Sequence, residues 1–144
     1  MPIGIDDMYK PYVFPLGEVK QPSGDLCFWD KSIFPIDVKR AFWISKVPEG
    51  GKRGVHAHYE DNQIIICLRG KVMVQLEDLN KETYSFLLNA PVKALFLPAM
   101  VWSDFTFEAG SVLLVLSSKE FTEGDYIRNK ADFEKLQDGY RKEL

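Results

Sequence analysis

The sequence predicts an all-β fold, a sandwich or barrel of short strands with one helix at its C-terminal end. Three observations carry this expectation. Runs of branched and aromatic residues recur about every eight to twelve residues, the rhythm of a sandwich or barrel rather than of βαβ units. Polar or Gly- and Pro-containing turns separate these runs. Only one stretch, residues 130–140, has helical spacing.

Taken in order, residues 1–35 are punctuated by Pro2, Pro11, Pro15, Pro22, Gly17 and Gly24. They read as short strands and turns, with 12–16 and 26–29 as the strands. Residues 39–45, Lys-Arg-Ala-Phe-Trp-Ile-Ser, are rich in strand formers. Residues 48–52 are a turn, 54–59 a short strand and 62–68 a strongly apolar one. A tight connection at 69–71 leads to 72–76, where apolar and polar residues alternate as in a half-buried strand. A hairpin loop at 77–82 precedes a strand at 83–88. Pro91 interrupts the chain, and strands at 94–97, 102–107 and 112–117 complete the set. At the end, Ala131, Phe133, Leu136 and Tyr140 fall at roughly helical spacing behind Asn129, a candidate N-cap. The helix is expected over 129–143, packed on the outside.

At 144 residues, the length fits a single domain, 1–144, able to bury a core without staples. A net charge of −3 carries no nucleic-acid footprint. Two cysteines, Cys27 and Cys67, form no CxxC and no disulfide framework. No apolar run approaches the roughly 18 residues of a membrane span, and the N-terminal residues lack the pattern of a signal peptide. The expected setting is the reducing cytoplasm, with no membrane and no nucleic acid as partner.

The chain has only two histidines, and they stand as His56-Ala57-His58. On a strand, residues i and i+2 share a face, so both imidazoles project into one space. Two imidazoles side by side are costly in a dry core unless partnered. Their pairing therefore points to function: a metal site, acid–base chemistry near neutral pH, or hydrogen bonding to a ligand.

The spacing Gly50, five residues, His56-Ala-His58, four residues, Gln63, six residues, Gly70 resembles the first motif of the cupin superfamily, G-x5-H-x-H-x3–4-E-x6-G. The second motif is matched by Pro98, with Met100, Ser103 and Phe107 at its glycine, histidine and asparagine positions. The resemblance implies a double-stranded β-helix, or jelly roll, with its site inside the barrel. A metal there would be held by two imidazoles and one neutral amide, a poor set beside the three or four protein donors that iron or zinc sites normally take. The expectation is no metal and no cofactor.

Within that superfamily, Lys39–Ser45, the run Arg53-Gly-Val-His-Ala-His-Tyr, residues 62–70, Phe96-Leu-Pro-Ala-Met-Val-Trp102 and Asp125-Tyr-Ile-Arg128 resemble the metal-independent dTDP-4-keto-6-deoxyglucose 3,4-ketoisomerases. The likeness extends over residues 36–136. A rhamnose-pathway 3,5-epimerase is a more distant likeness. The chain departs from the family pattern at Trp43, where a tyrosine is usual, at Ser103, where a histidine is usual, and at Tyr59, where a lysine is common.

The resemblance implies a keto shift from C4 to C3 of a dTDP-linked 6-deoxyhexose through an enediol, with His56 and His58 as acid and base in unassigned order. Tyr59, Ser103, Asp104 or a water completes the proton relay. Arg53 is the expected fork for the diphosphate, facing away from His56 on a regular strand unless Gly54 kinks it. Arg40 and Lys39 are further candidates of that kind. Trp43 and Trp102 are candidates to stack on thymine or wall off the sugar. Gln63 is expected to hydrogen-bond a histidine or the substrate, and Tyr126 and Arg128 to anchor the C-terminal segment. The implied partners are a dTDP-sugar and a second copy of the chain, with residues 1–35 as candidates for strand exchange. The competing readings are a metal-dependent cupin, a non-catalytic sugar-nucleotide binder and a related epimerase.

Overall fold

A computed structural model describes residues 10–143, with side chains described through Tyr140. Among the described residues there are twelve strands: β1 Tyr12–Pro15, β2 Gly17–Gln21, β3 Gly24–Phe28, β4 Arg40–Ile44, β5 Lys52–His58, β6 Gln63–Arg69, β7 Val72–Glu77, β8 Thr83–Leu88, β9 Lys93–Leu97, β10 Trp102–Phe107, β11 Val112–Ser117 and β12 Tyr126–Ile127. The helix α1 spans Lys130–Glu143. The strands form two antiparallel five-stranded sheets, ordered β1-β9-β6-β11-β4 and β12-β5-β10-β7-β8, and a separate β2-β3 ribbon.

The inner faces of the two sheets make the main core. Val72, Val74 and Leu76 of β7 are buried while Met73 and Gln75 between them are exposed, the alternation read from the sequence. Phe105 and Phe107 of β10 join them, as do Leu113 and Val115 of β11. Strand β6 has no polar face because both of its faces are covered. Ile65 and Cys67 enter the barrel, whereas Ile64 and Ile66 pack outward beneath Phe14, Phe34, Ile36 and Phe96.

Two strands escape the sequence reading. Strand β2 is short and mostly polar, Gly-Glu-Val-Lys-Gln, and its pairing with β3 alone defines it. Gly17 is required there: a Cβ would stand 2.3 Å from the Phe28 ring that crosses it. Strand β12 has two residues and exists through its pairing with β5. In α1, Asn129 Oδ1 accepts the Ala131 amide at 2.8 Å, as an N-cap should. The inward stripe is buried Phe133 and Gln137 with half-buried Leu136, while Ala131 and Tyr140 are exposed. Gln137, which the helical spacing did not pick out, is buried with its amide donating to Glu77 Oε2 (2.7 Å) and to the Asp78 carbonyl (2.9 Å). Phe133 closes a second small core with Ala57, Trp102 and Ile127 on the outer face of the second sheet.

Candidate active site

Strand β5 carries the histidines. Ala57 faces outward under α1, so His56 and His58 face into the barrel. Their rings are 4.9 Å apart and nearly perpendicular. Tyr126 pairs with His58 in the β12–β5 ladder, and its ring lies 4.3 Å from His58 and 5.0 Å from His56. His58 is buried at 5% exposure, and His56, half-buried, is the ring nearer solvent.

Behind His58 stands Asp125. Its Oδ2 lies 3.1 Å from His58 Nδ1, and the carboxylate also accepts the amides of Glu60 (2.8 Å) and Asp61 (3.2 Å). An ionised carboxylate only accepts, so Nδ1 carries the hydrogen and Nε2 keeps its lone pair. Nε2 is buried and has no protein partner among the described residues. Burial pushes the His58 pKa down, partly opposed by Asp61 and Asp125. His56 is pushed down to about 4, first by burial and then by the neighbouring His58 and the Arg128 and Arg40 cations. The His56 ring is neutral at pH 7, and burial favours the neutral form of His58 as well.

A second carboxylate organises the opposite wall. Asp61, 2% exposed, accepts from Ser117 Oγ (2.6 Å), Gln63 Nε2 (2.9 Å), the Ser118 amide (3.0 Å) and Ser118 Oγ (3.1 Å). Arg40 reaches Asp61 Oδ2 at 3.4 Å, Ser117 Oγ at 3.3 Å and the Tyr126 hydroxyl at 3.5 Å. Its Nε–H is buried without a partner among the described residues. The Phe121 ring, 62% exposed, lies 5.6 Å from this guanidinium and 5.7 Å from Tyr126. Arg128 covers Tyr126 at 4.2 Å while its Nη2 donates to Glu123 at 2.9 Å, which anchors this segment.

His58, Asp61 and Asp125 offer ligand atoms within 4.8 Å of one another. They do not fit a cation. The two carboxylates already accept protein donors, and the Arg40 guanidinium stands against Asp61. The other superfamily ligand positions fit no better. Gln63 turns its amide to Asp61, and Ser103 donates to backbone carbonyls.

The other predicted residues divide. Gln63 lies inside the barrel but bonds Asp61 rather than a histidine. Arg53 is exposed, yet the β5–β10 register gives it the face of His56. Arg53 stands opposite Phe105 and His56 opposite Ser103, and Phe105 and Ser103 are two residues apart. Strand β5 thus holds one extra residue, at Gly54, whose φ is +66°. Arg53 and Trp43 line one groove of about 490 Å³ with Lys46 and Lys52. Trp43 itself is 68% exposed on the outer face of the first sheet, paired with Leu114. Trp102 lies outside the barrel, 5.9 Å from Phe133 and under the Lys130 ammonium, so it does not wall the histidine pair. Tyr59 is half exposed beyond the end of β5, and Asp104 is paired with Lys52 on the outer face. Ser103 is buried, with its hydroxyl on the Gly54 and His56 carbonyls. Tyr59, Ser103 and Asp104 therefore lie outside the imidazole–carboxylate cluster. Asp125 and Asp61 are the site residues that sequence reasoning missed. Asp125 opens the Asp-Tyr-Ile-Arg segment, and that was its only signal. Asp61 sits in a polar turn and has none.

Fold and site together define a cupin-like barrel with a carboxylate-backed imidazole pair. Residues 10–138 match the family described as FdtA: WxcM-like, C-terminal, and the chain belongs to that family. It is 33% identical over 102 residues to the TDP-4-oxo-6-deoxy-alpha-D-glucose-3,4-oxoisomerase of Aneurinibacillus thermoaerophilus, covering 70% of this chain and 73% of that one. It is similar to the 3,4-ketoisomerase QdtA of Thermoanaerobacterium thermosaccharolyticum, solved as a histidine-to-asparagine mutant with TDP-4-keto-6-deoxyglucose. There the TM-score is 0.83 and the identity 31%, over 90% of this chain and 96% of that one. It is also similar to the TDP-fucose-3,4-ketoisomerase WlaRA of Campylobacter jejuni, at TM-score 0.82 and 26% identity, over 88% and 95% of the chains. The dTDP-4-dehydrorhamnose 3,5-epimerase of Bacillus anthracis, at 13% identity and TM-score 0.72, shares the fold.

Proposed function

We propose that this protein moves the keto group of a dTDP-4-keto-6-deoxyhexose from C4 to C3, with His58 as the base and His56 as the proton donor on the C4 side. The observation that carries this reading is the bare, buried Nε2 of His58, backed by Asp125 and 4.9 Å between ring centres from a second neutral imidazole. In the first step His58 Nε2 takes the C3 proton. The C3–H bonding pair becomes a C3–C4 double bond, and the C4 oxygen gains a proton from His56 Nε2–H or Nδ1–H, giving the enediol. In the second step the C3 hydroxyl returns a proton to His56 and its oxygen forms the new ketone, while the double-bond pair takes a solvent-derived proton at C4, passed by the His58 imidazolium directly or through a water. No electron leaves the sugar. Arg40 supports charge on the enediolate oxygens, because its unpartnered Nε–H is a donor in a poorly solvated site.

Arg53, on the histidine face of β5, binds the diphosphate, and Lys52 and Lys46 add positive charge to the same groove. A homodimer fits the surface. The β2–β3 ribbon joins neither sheet of its own chain, and it exposes Val19, Leu26 and Phe28. Exchange of this ribbon with a second copy would cover those residues. A cytoplasmic setting goes with this reading, since its substrate is a nucleotide sugar.

Incubation with dTDP-4-keto-6-deoxyglucose, followed by 13C NMR, tests the reading. A new 3-keto resonance supports it; tight binding of the nucleotide sugar with the 4-keto signal unchanged over hours supports a non-catalytic binder instead.

A further inference from the structure

The β5 bulge has a lock on the neighbouring strand. Between Phe105 and Ser103, β10 advances two residues while β5 advances three, from Arg53 to His56. Gly54 and Val55 together oppose Asp104, and Gly54 takes a φ of +66°. Such a bulge disturbs the ladder and leaves carbonyls without their regular partners. Here the Ser103 hydroxyl sits against them, its one hydrogen shared between the Gly54 carbonyl at 2.6 Å and the His56 carbonyl at 3.0 Å. Ser103 is 2% exposed, so water does not replace it at this place.

The consequence is geometric. On an unbroken strand, Arg53 and His56 would face opposite sides of the sheet. The extra residue brings them to one side, with the guanidinium at the groove end of β5 and the imidazoles at its far end. We infer that Ser103 is a positioning residue: its hydroxyl locks the Gly54 bulge and so fixes the reach between Arg53 and the imidazole pair to that between a diphosphate and its sugar ring. This deepens the isomerase reading and rests on it. It also accounts for a departure from the family pattern, since a serine at 103 serves the backbone rather than the proton relay.

The variants Ser103→Ala and Ser103→Thr test the lock, alongside Gly54→Ala, which strains the same bulge from the other strand. Three readouts are taken on protein whose far-UV circular dichroism matches wild type: TDP affinity by calorimetry, kcat/KM, and the long-range 1H–15N spectrum of the two imidazoles. Ser103→Ala should shift both imidazole signals and weaken TDP severalfold. It should lower kcat/KM on the order of tenfold to a hundredfold, with the acid limb of the pH profile in place. Ser103→Thr should restore most of each. Gly54→Ala should reproduce the pattern, and it decides the matter if Ser103→Ala does not fold. Unchanged imidazole signals and TDP affinity in the alanine variants would overturn the lock. So would a Ser103→Ala protein that still exchanges the C3 hydrogen but no longer isomerises, because that is the mark of a proton relay. The imidazole spectrum needs no turnover, so a failed lock and a failed isomerase assignment read differently.

Discussion

The proposed chemistry turns on one nitrogen. His58 Nε2 is bare because Asp125 holds the ring's hydrogen on Nδ1. Asp125→Asn should cost on the order of 10²–10⁴ in kcat with little change in KM, since an amide can donate to Nδ1 and move the ring hydrogen to Nε2. Steady-state kinetics over the substrate range check this. His56 gives a pH signature. Its pKa is about 4 in the folded protein and near 6.5 when unfolded. Above pH 6.5 both states are neutral there, and stability is at its full value. As pH falls from 6.5 towards 4, the unfolded chain takes the proton first, and up to roughly 3 kcal/mol of stability is lost. Thermal melts from pH 7.5 to 4.5 should show Tm falling, and His56→Gln should flatten that slope. At this scale the sequence showed the pair well, because His-x-His on a strand fixes a shared face. It could not show Asp125 or Asp61. Asp125 meets His58 across 67 positions and Asp61 meets Ser117 and Ser118 across 56 and 57, and no local spacing records those contacts.

At the scale of elements, the site is held from outside. Strand β12 brings Asp125 and Tyr126 to β5, and the small core of Ala57, Trp102, Ile127 and Phe133 ties β12 and α1 to the second sheet. Phe133 is fully buried, so Phe133→Ala should destabilise the fold by about 3–5 kcal/mol, readable by urea denaturation. Turnover should fall with it, as β12 loosens from the histidines. The long alternating or apolar strands were legible because one or both faces are buried. Strands β2 and β12 were not, since β2 is polar and β12 is two residues long. Arg53 shows the limit of periodicity: one inserted residue reversed the face that a regular strand would give it.

For the whole molecule, two packed sheets leave a polar end where Arg40, Asp61, His56, His58, Asp125 and Tyr126 meet. Among the described residues no helix is long and apolar enough to cross a membrane. The exposed ribbon is where a second copy enters the account. On the proposed homodimer, wild type should sediment as a dimer and Leu26→Asp with Phe28→Asp as a monomer, while the melting point of the barrel stays close to wild type.

The most direct test of the central claim is hydrogen exchange at the sugar. Wild-type protein and His58→Asn are incubated with dTDP-4-keto-6-deoxyglucose in D2O and followed by 1H NMR. The account predicts loss of the C3 proton signal with wild type, together with a 3-keto product carrying deuterium at C4, and neither change with His58→Asn. Exchange at an undiminished rate in His58→Asn, or a product formed without solvent deuterium at C4, would contradict it.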